Sequence, residues 1–371
     1  MKKTKKFKYF GLVISAITAF TFLSSAVHAS ATDTSSAAEI KGQYINVGGD
    51  VEMRYLVSVN DTNVSADDIK MKVNFHGTET EITESTAVNV GGIAYRMFAF
   101  GNIAPQAIGD NISAELYVDE KLTDSNNGYS VKQYLDTQYK TADAKLKKLI
   151  EDLLHYGAAA QTYKDYKTDS LVNKGFKVPD ITVAESKFTK VDNSEKVDIY
   201  SANVKFSSVN YLMFKLKTSG DSSEIEGKVK LNGKAVSGIA SDGYYTVISE
   251  PIAPYDFDTP VVLTYTGDDG DVELEYSIND YCYAMSKKAS TDSMVSLAKA
   301  LYSYGNSASD YMNSLTGKPP VDYNAVVSYE YDSLNRVVKV IYDDKNYIQY
   351  DYDSNGNITK VTVVENGIIL Q

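Results

Sequence analysis

The chain has 371 residues, with 37 basic and 49 acidic side chains, a net charge of −12, 30 tyrosines, no tryptophan and a single cysteine. That acidic excess counts against nucleic acid or an anionic membrane surface as partner, because the long-range field repels polyanions. Lone Cys282 rules out an internal disulfide, so stability has to come from core burial, and the length allows two or three domains.

Residues 1–29 read as a secretory signal peptide. Lys2, Lys3, Lys5, Lys6 and Lys8 make a basic start, an uncharged stretch runs from Phe10 to Leu23, and small residues follow. Val27-His28-Ala29 and Ala29-Ser30-Ala31 both suit a signal peptidase, so cleavage is expected after Ala29 or Ala31. The apolar run is shorter than the ~20 residues a bilayer span needs. The mature chain is therefore expected to be secreted, or associated with the cell surface, without membrane insertion. Cleavage after Ala29 removes five lysines and no acid, taking the net charge from −12 to −17.

Residues 40–168 read as a first unit, strands before helices. Val51 to Val59, Ile69 to Phe75, Ala94 to Phe100 and Ile112 to Val118 alternate apolar and polar residues between turn signals. Ser130 and Gln133 then form a capping-box pattern, and Leu146, Leu149, Ile150, Leu153 and Leu154 mark one stripe of a longer helix.

Residues 180–312 repeat the plan. Lys196 to Phe206, Tyr211 to Leu216, Gly227 to Leu231, Tyr244 to Ile248 and Val261 to Tyr265 read as strands. Ile103-Ala104-Pro105 recurs as Ile252-Ala253-Pro254, and Tyr129, Ser130 and Tyr134 recur as Tyr276, Ser277 and Tyr281. Leu153, Tyr156, Gly157 and Tyr163 recur as Leu301, Tyr304, Gly305 and Tyr311. A glycine inside a helix costs roughly 1 kcal/mol against alanine, so the two glycines mark either a close approach of another backbone or a helix end. Ala158 to Ala160 favour continuation past Gly157, and Asn306 favours termination at Gly305.

These blocks, Tyr129 to Leu135 and Leu153 to Gln161, resemble a module of large surface and secreted proteins of gut Clostridia, in which YSVRDYL precedes LLNYGAAAQ. The second copy keeps Tyr276, Ser277, Tyr304 and Gly305. The resemblance implies a non-catalytic extracellular module, of the kind found beside carbohydrate-active or adhesive domains.

Residues 313–324, with Pro319-Pro320, read as a linker, and residues 325–371 as a β-meander. Tyr329-Glu330-Tyr331-Asp332 recurs as Tyr350-Asp351-Tyr352-Asp353, with alternating runs from Val337 to Tyr342 and Tyr347 to Tyr352. Turns are expected at Ser333 to Asn335, Asp343 to Asn346 and Ser354 to Gly356. The segment resembles YD repeats of the RHS family: Tyr352-Asp353-Ser354-Asn355-Gly356-Asn357 fits their pattern, and Tyr331-Asp332-Ser333-Leu334-Asn335-Arg336 departs from it by asparagine for glycine. Asparagine tolerates the left-handed turn conformation, so the departure is mild. The family is associated with carbohydrate binding and surface attachment.

The expected fold class is thus α+β, mainly β: two tandem β-sandwich-like units each ending in a helical pair, then a small β-meander. No catalytic constellation, metal set or cofactor motif stands out. His76 and His155 lack ligand-spaced partners, and His155 reads as a surface or boundary residue. Asp351, Asp353, Asn355 and Gly356 match the start of a calcium loop, but Thr362 stands where glutamate belongs, so an ordinary repeat turn is expected. Asp268 to Asp271 reads as a solvated hairpin turn. Tyrosine can stack on sugars while its hydroxyl bonds, and it also suits strand cores. Tyr331 and Tyr352 are the named ligand-binding candidates. The expected function is non-catalytic contact with extracellular polysaccharide or cell-wall glycan. A spacer or adhesin with other surface proteins as partners is the alternative, and a glycoside-active enzyme the distant one.

Overall fold

The structure, a computed structural model, describes residues 36–46, 51–90, 93–268, 270–289, 291–316, 328–332, 336–343, 346–353, 358–365 and 368–369. The expected signal peptide, with both cleavage positions, lies outside them, as do Asp269, Ser333 to Asn335 and Ser354 to Asn357.

The fold is α+β, mainly β. The first half consists of β1 (Ala38–Asn46), β2 (Glu52–Val59), β3 (Ile69–Phe75), β4 (Thr78–Ile82), β5 (Thr86–Val90), β6 (Ile93–Phe100), β7 (Ile112–Val118) and β8 (Lys121–Tyr129), then α1 (Val131–Tyr139) and α2 (Ala144–Lys164). Its strands form two antiparallel sheets, β1-β2-β6-β5 and β4-β3-β7-β8. Alternation sends Met53, Tyr55 and Val57 of β2, Ile69, Met71 and Val73 of β3, and Ile112, Ala114 and Leu116 of β7 into a shared core.

The second half consists of β9 (Thr189–Asp192), β10 (Val197–Phe206), β11 (Asn210–Thr218), β12 (Val229–Leu231), β13 (Lys234–Ala235), β14 (Ile239–Ser241), β15 (Tyr244–Ile248), β16 (Val261–Gly267) and β17 (Gly270–Tyr276), then α3 (Ile278–Lys288) and α4 (Asp292–Thr316). Its sheets run β10-β11-β15-β14 and β13-β12-β16-β17-β9, the strand order of the first half with β9 added at one edge. Leu212, Phe214, Leu216, Tyr245, Val247, Leu263 and Tyr265 fill its core.

Both capping boxes form. The Gln133 amide donates to Ser130 Oγ at 3.1 Å and the Ser130 amide to Gln133 Oε1 at 2.8 Å. In the second half the Asp280 amide donates to Ser277 Oγ at 3.1 Å and the Ser277 amide to Asp280 Oδ2 at 2.9 Å. These reciprocal bonds satisfy helix-end amides that would otherwise lack partners.

The two glycines share one explanation. The repeated Ile-Ala-Pro carries a short 3-10 turn, Pro105–Ala107 or Pro254–Asp256, that lies against the long helix of its half. An ideal Cβ on Gly157 would sit 3.0 Å from the Pro105 carbonyl oxygen, and one on Gly305 would sit 2.5 Å from Phe257 Cδ2. Asn306 therefore does not end the second helix, as its sequence suggests; α4 continues to Thr316 because the glycine is there for space. Residues 313–316 of the expected linker are accordingly helical.

The halves make one compact body, which ends at Met312. Equivalent tyrosines meet across it: Tyr156 of α2 stacks on Tyr304 of α4, ring centroids 5.7 Å apart and planes 14° apart. The buried Tyr156 hydroxyl also donates to Asn210 Oδ1 at 3.3 Å. No helix among the described residues is long and apolar enough to cross a membrane.

The C-terminal body, taken by itself, is an antiparallel sheet in sequence order: β18 (Ser328–Tyr331), β19 (Val337–Asp343), β20 (Asn346–Tyr352), β21 (Ile358–Glu365) and β22 (Ile368–Ile369).

Candidate functional site

Most tyrosines of the main body serve the core. Tyr55, Tyr95, Tyr156, Tyr245, Tyr265, Tyr276, Tyr281, Tyr304 and Tyr311 are buried. Among residues whose side chains are described, Tyr200 is the exposed exception, at 58%. A β-bulge produces this: pairing with β11 slips between Ile199 and Ser201, leaving Tyr200 as the extra residue. A bulge re-aims the side chain it carries.

Tyr200 borders the outer face of the β10-β11-β15-β14 sheet. Register puts Lys205 opposite Tyr211, Asn203 opposite Met213, Ser201 opposite Lys215 and Tyr244 opposite Lys217 on that face. Ile248 lies opposite Met213, and Ile239 of β14, 69% exposed, opposite Thr246. Tyr200 meets the edge of Tyr244 at 4.9 Å between centroids. Lys215 Nζ lies 4.0 Å from the Tyr244 ring centre and 5.5 Å from that of Tyr200, and Lys205 Nζ lies 5.8 Å from that of Tyr211. Such cation–π contacts hold the ammonium groups in place while leaving their remaining protons to bond.

The first half shows what is special here. Its β1 carries the same bulge, between Ile40 and Gly42, with Lys41 where β10 has Tyr200. By register, buried Leu56 occupies the place of Lys215, and buried Tyr95 that of Tyr244. The first-half face buries Leu56 and Tyr95 beside the Arg54–Glu52 ion pair; the second-half face is open and carries rings and ammonium groups.

A second cluster joins residues far apart in sequence. Asp110, nearly buried, accepts from Lys167 Nζ at 2.6 Å, from His76 Nε2 at 2.6 Å and from the Tyr166 hydroxyl. Burial alone pushes its carboxyl up, but the hydrogen bonds from Lys167, Tyr166 and His76 outweigh this and hold it below the usual range. His76 and Lys167 both adopt positive φ, 54° and 47°, to reach it. The cluster ties the β3–β4 turn to the end of α2, and a charged, fully engaged carboxylate suits a clamp. Sequence spacing gave no sign of it, because its parts come from three segments. In the second half Thr259 replaces Asp110, as the matching amide bonds of Asp110 to Ala107 and Thr259 to Asp256 establish.

The same alignment sets Asp256 in the place of buried Ala107. Burial without a compensating partner pushes its carboxyl up to about 6.

His155 is buried rather than superficial. Asn173, in the segment after α2, places Nδ2 3.0 Å from its Nδ1, and burial holds the imidazole below its ordinary range. Cys282 is buried in α3, and desolvation raises its thiol, so it is an inert core group.

Of the expected ligand contacts, Tyr331 lies in β18, paired with Val337. Tyr352 ends β20 with the Arg336 guanidinium 4.4 Å from its ring centre. Arg336 Nε donates to Asp332 Oδ2 at 2.7 Å, so Asp332 steadies the cation that covers Tyr352. One ring face of Tyr352 is therefore taken. The calcium-like run has Asn355 and Gly356 outside the described residues. Among the described residues, no group of three or more His, Cys, Asp or Glu side chains could hold a metal ion.

No protein-family model matches the chain, and no curated protein matches it. The functional reading therefore rests on the residues themselves.

Proposed function

We propose that the chain is exported and binds extracellular carbohydrate, without transforming it, through the outer face of the β10-β11-β15-β14 sheet. The single observation that carries this reading is the exposed Tyr200 beside Tyr244 and Lys215 on an otherwise open sheet face. An aromatic ring offers a sugar an apolar platform, and neighbouring hydroxyl, amide and ammonium groups supply directional bonds. The basic, apolar, small-residue order of residues 1–29 supports export. The resemblances to a Clostridial surface module and to YD repeats of the RHS family agree with a role outside the cell.

Screening the mature chain on an array of polysaccharides and cell-wall glycans tests the reading. Retention on at least one glycan is expected, and Tyr200→Ala/Tyr244→Ala should weaken it at least tenfold without altering the unfolding midpoint much. Absence of binding to every glycan would overturn the proposal. Retention of a surface protein instead would favour the spacer.

A further inference from the structure

Building on the carbohydrate reading, we infer that this face takes an anionic polysaccharide, and that Lys205, Lys215 and Lys217 hold its acidic groups. The first argument is a local reversal of sign. The chain carries 49 acidic against 37 basic residues, yet register places one carboxylate on this face, Asp198 opposite Lys217 at the end of the sheet. Lys190 Nζ already lies 3.3 Å from that carboxylate. Among the described residues none of the three lysines is ion-paired.

The second argument is arrangement. Lys215 and Lys217 alternate along β11 and stand roughly 7 Å apart, and Lys205, opposite Tyr211, lies about 14 Å from Lys215. A row of cations on a flat sheet suits an extended polymer with recurring charges better than a compact ligand. Lys215 is held between Tyr200 and Tyr244, so little of its freedom remains to be lost on binding.

The third argument comes from the duplicate sheet. Register aligns Lys205 with Asn46, Lys215 with Leu56 and Lys217 with Ser58, so all three cations belong to the second half alone. The negative charge of the whole chain does not cancel them. At physiological salt, charges beyond about 8 Å are largely screened, and the contacting lysines dominate.

The test compares dextran, dextran sulfate, polygalacturonate and polyuridylate as ligands for the mature chain by affinity electrophoresis at 100 and 500 mM NaCl. Dextran sulfate, polygalacturonate or both should be retarded at least tenfold more strongly than dextran, and which of them responds separates sulfate from carboxylate recognition. High salt should weaken binding by at least tenfold. Lys215→Gln/Lys217→Gln should do the same, whereas Lys230→Gln, exposed on the other sheet, should change nothing. Equal, salt-insensitive binding of dextran would overturn the anionic assignment and leave the carbohydrate reading standing. Binding of none of the three sugar polymers, together with an empty glycan array, would overturn both. Polyuridylate bound as tightly as the sugars would reduce the face to a nonspecific cation patch, and an unaffected lysine double variant would remove it from the binding site.

Discussion

Gly157→Ala sets two effects against each other at one position. Alanine is the better helix former by ~1 kcal/mol, so propensity alone predicts a stabler α2. The added methyl, however, would stand 2.7 Å from Ile108 Cδ1, 3.0 Å from the Pro105 carbonyl oxygen and 3.0 Å from Val172 Cγ2. The tip of Ile108 can rotate away. The carbonyl belongs to a turn pinned by proline, and Val172 is buried behind the helix, so α2 itself has to shift. Overpacking typically costs ~1–3 kcal/mol, and three simultaneous contacts, one with backbone, put this site near the upper end. The net expectation is a loss of about 2 kcal/mol. Urea unfolding of the mature chain, followed by far-UV circular dichroism, should show the midpoint falling by about 0.7 M for a slope near ~3 kcal/mol/M. Val172→Ala supplies room, so in that background the same substitution should be less harmful, a coupling expected between residues in contact. A midpoint equal to or above that of the parent chain would refute the reasoning.

Asp256→Asn should stabilise the protein at neutral pH. The folded carboxyl titrates near 6 against 3.8 for the free group, so between those values the unfolded state binds fewer protons and stability falls as pH rises. That gap corresponds to about 3 kcal/mol, and partial exposure reduces it to about 1–2 kcal/mol. Urea midpoints should show the gain at pH 7.5 and its disappearance at pH 4; an equal gain at both would point to packing instead. Asp110→Asn should act oppositely. A carboxyl held below its ordinary range adds stability that is present above the unfolded pKa and lost as pH falls through the folded one. The variant should lose about 1–3 kcal/mol at pH 7, from hydrogen bonds to a charged acceptor, with a flatter acid limb in its stability profile. An unchanged acid limb would show that the cluster is not a clamp.

What could be read in advance followed burial. Ile69 to Phe75, Ile112 to Val118 and Tyr244 to Ile248 bury alternate residues and were legible as strands with their observed bounds. The edge strands β4 and β8 were not, since Thr78–Ile82 and Lys121–Tyr129 bury no side chain fully and so show no alternation of buried and exposed residues. Ser130 with Gln133 announced a helix start because capping chemistry is local, whereas Gly305 misled because its reason is a phenylalanine ring 48 residues away in the chain. The tyrosine count left core and surface roles open, and the two residues singled out, Tyr331 and Tyr352, belong to the C-terminal sheet instead. Tyr200 turns outward through a bulge that depends on pairing, and Lys215 becomes conspicuous only once register shows that Leu56 holds its place in the first half. Asp110, His76 and Lys167 converge through tertiary structure, which no spacing rule captures.

The pairing of Tyr156 with Tyr304 has a further consequence. Rings at matching positions of the two halves stack on each other, the arrangement that residues on the axis of a twofold dimer take. Both rings are thus covered within one polypeptide, with Asn210 closing the Tyr156 hydroxyl from one side. Because both rings belong to one chain, their contact does not depend on concentration, and the two outer sheet faces are free to differ, Leu56 standing on one where Lys215 stands on the other.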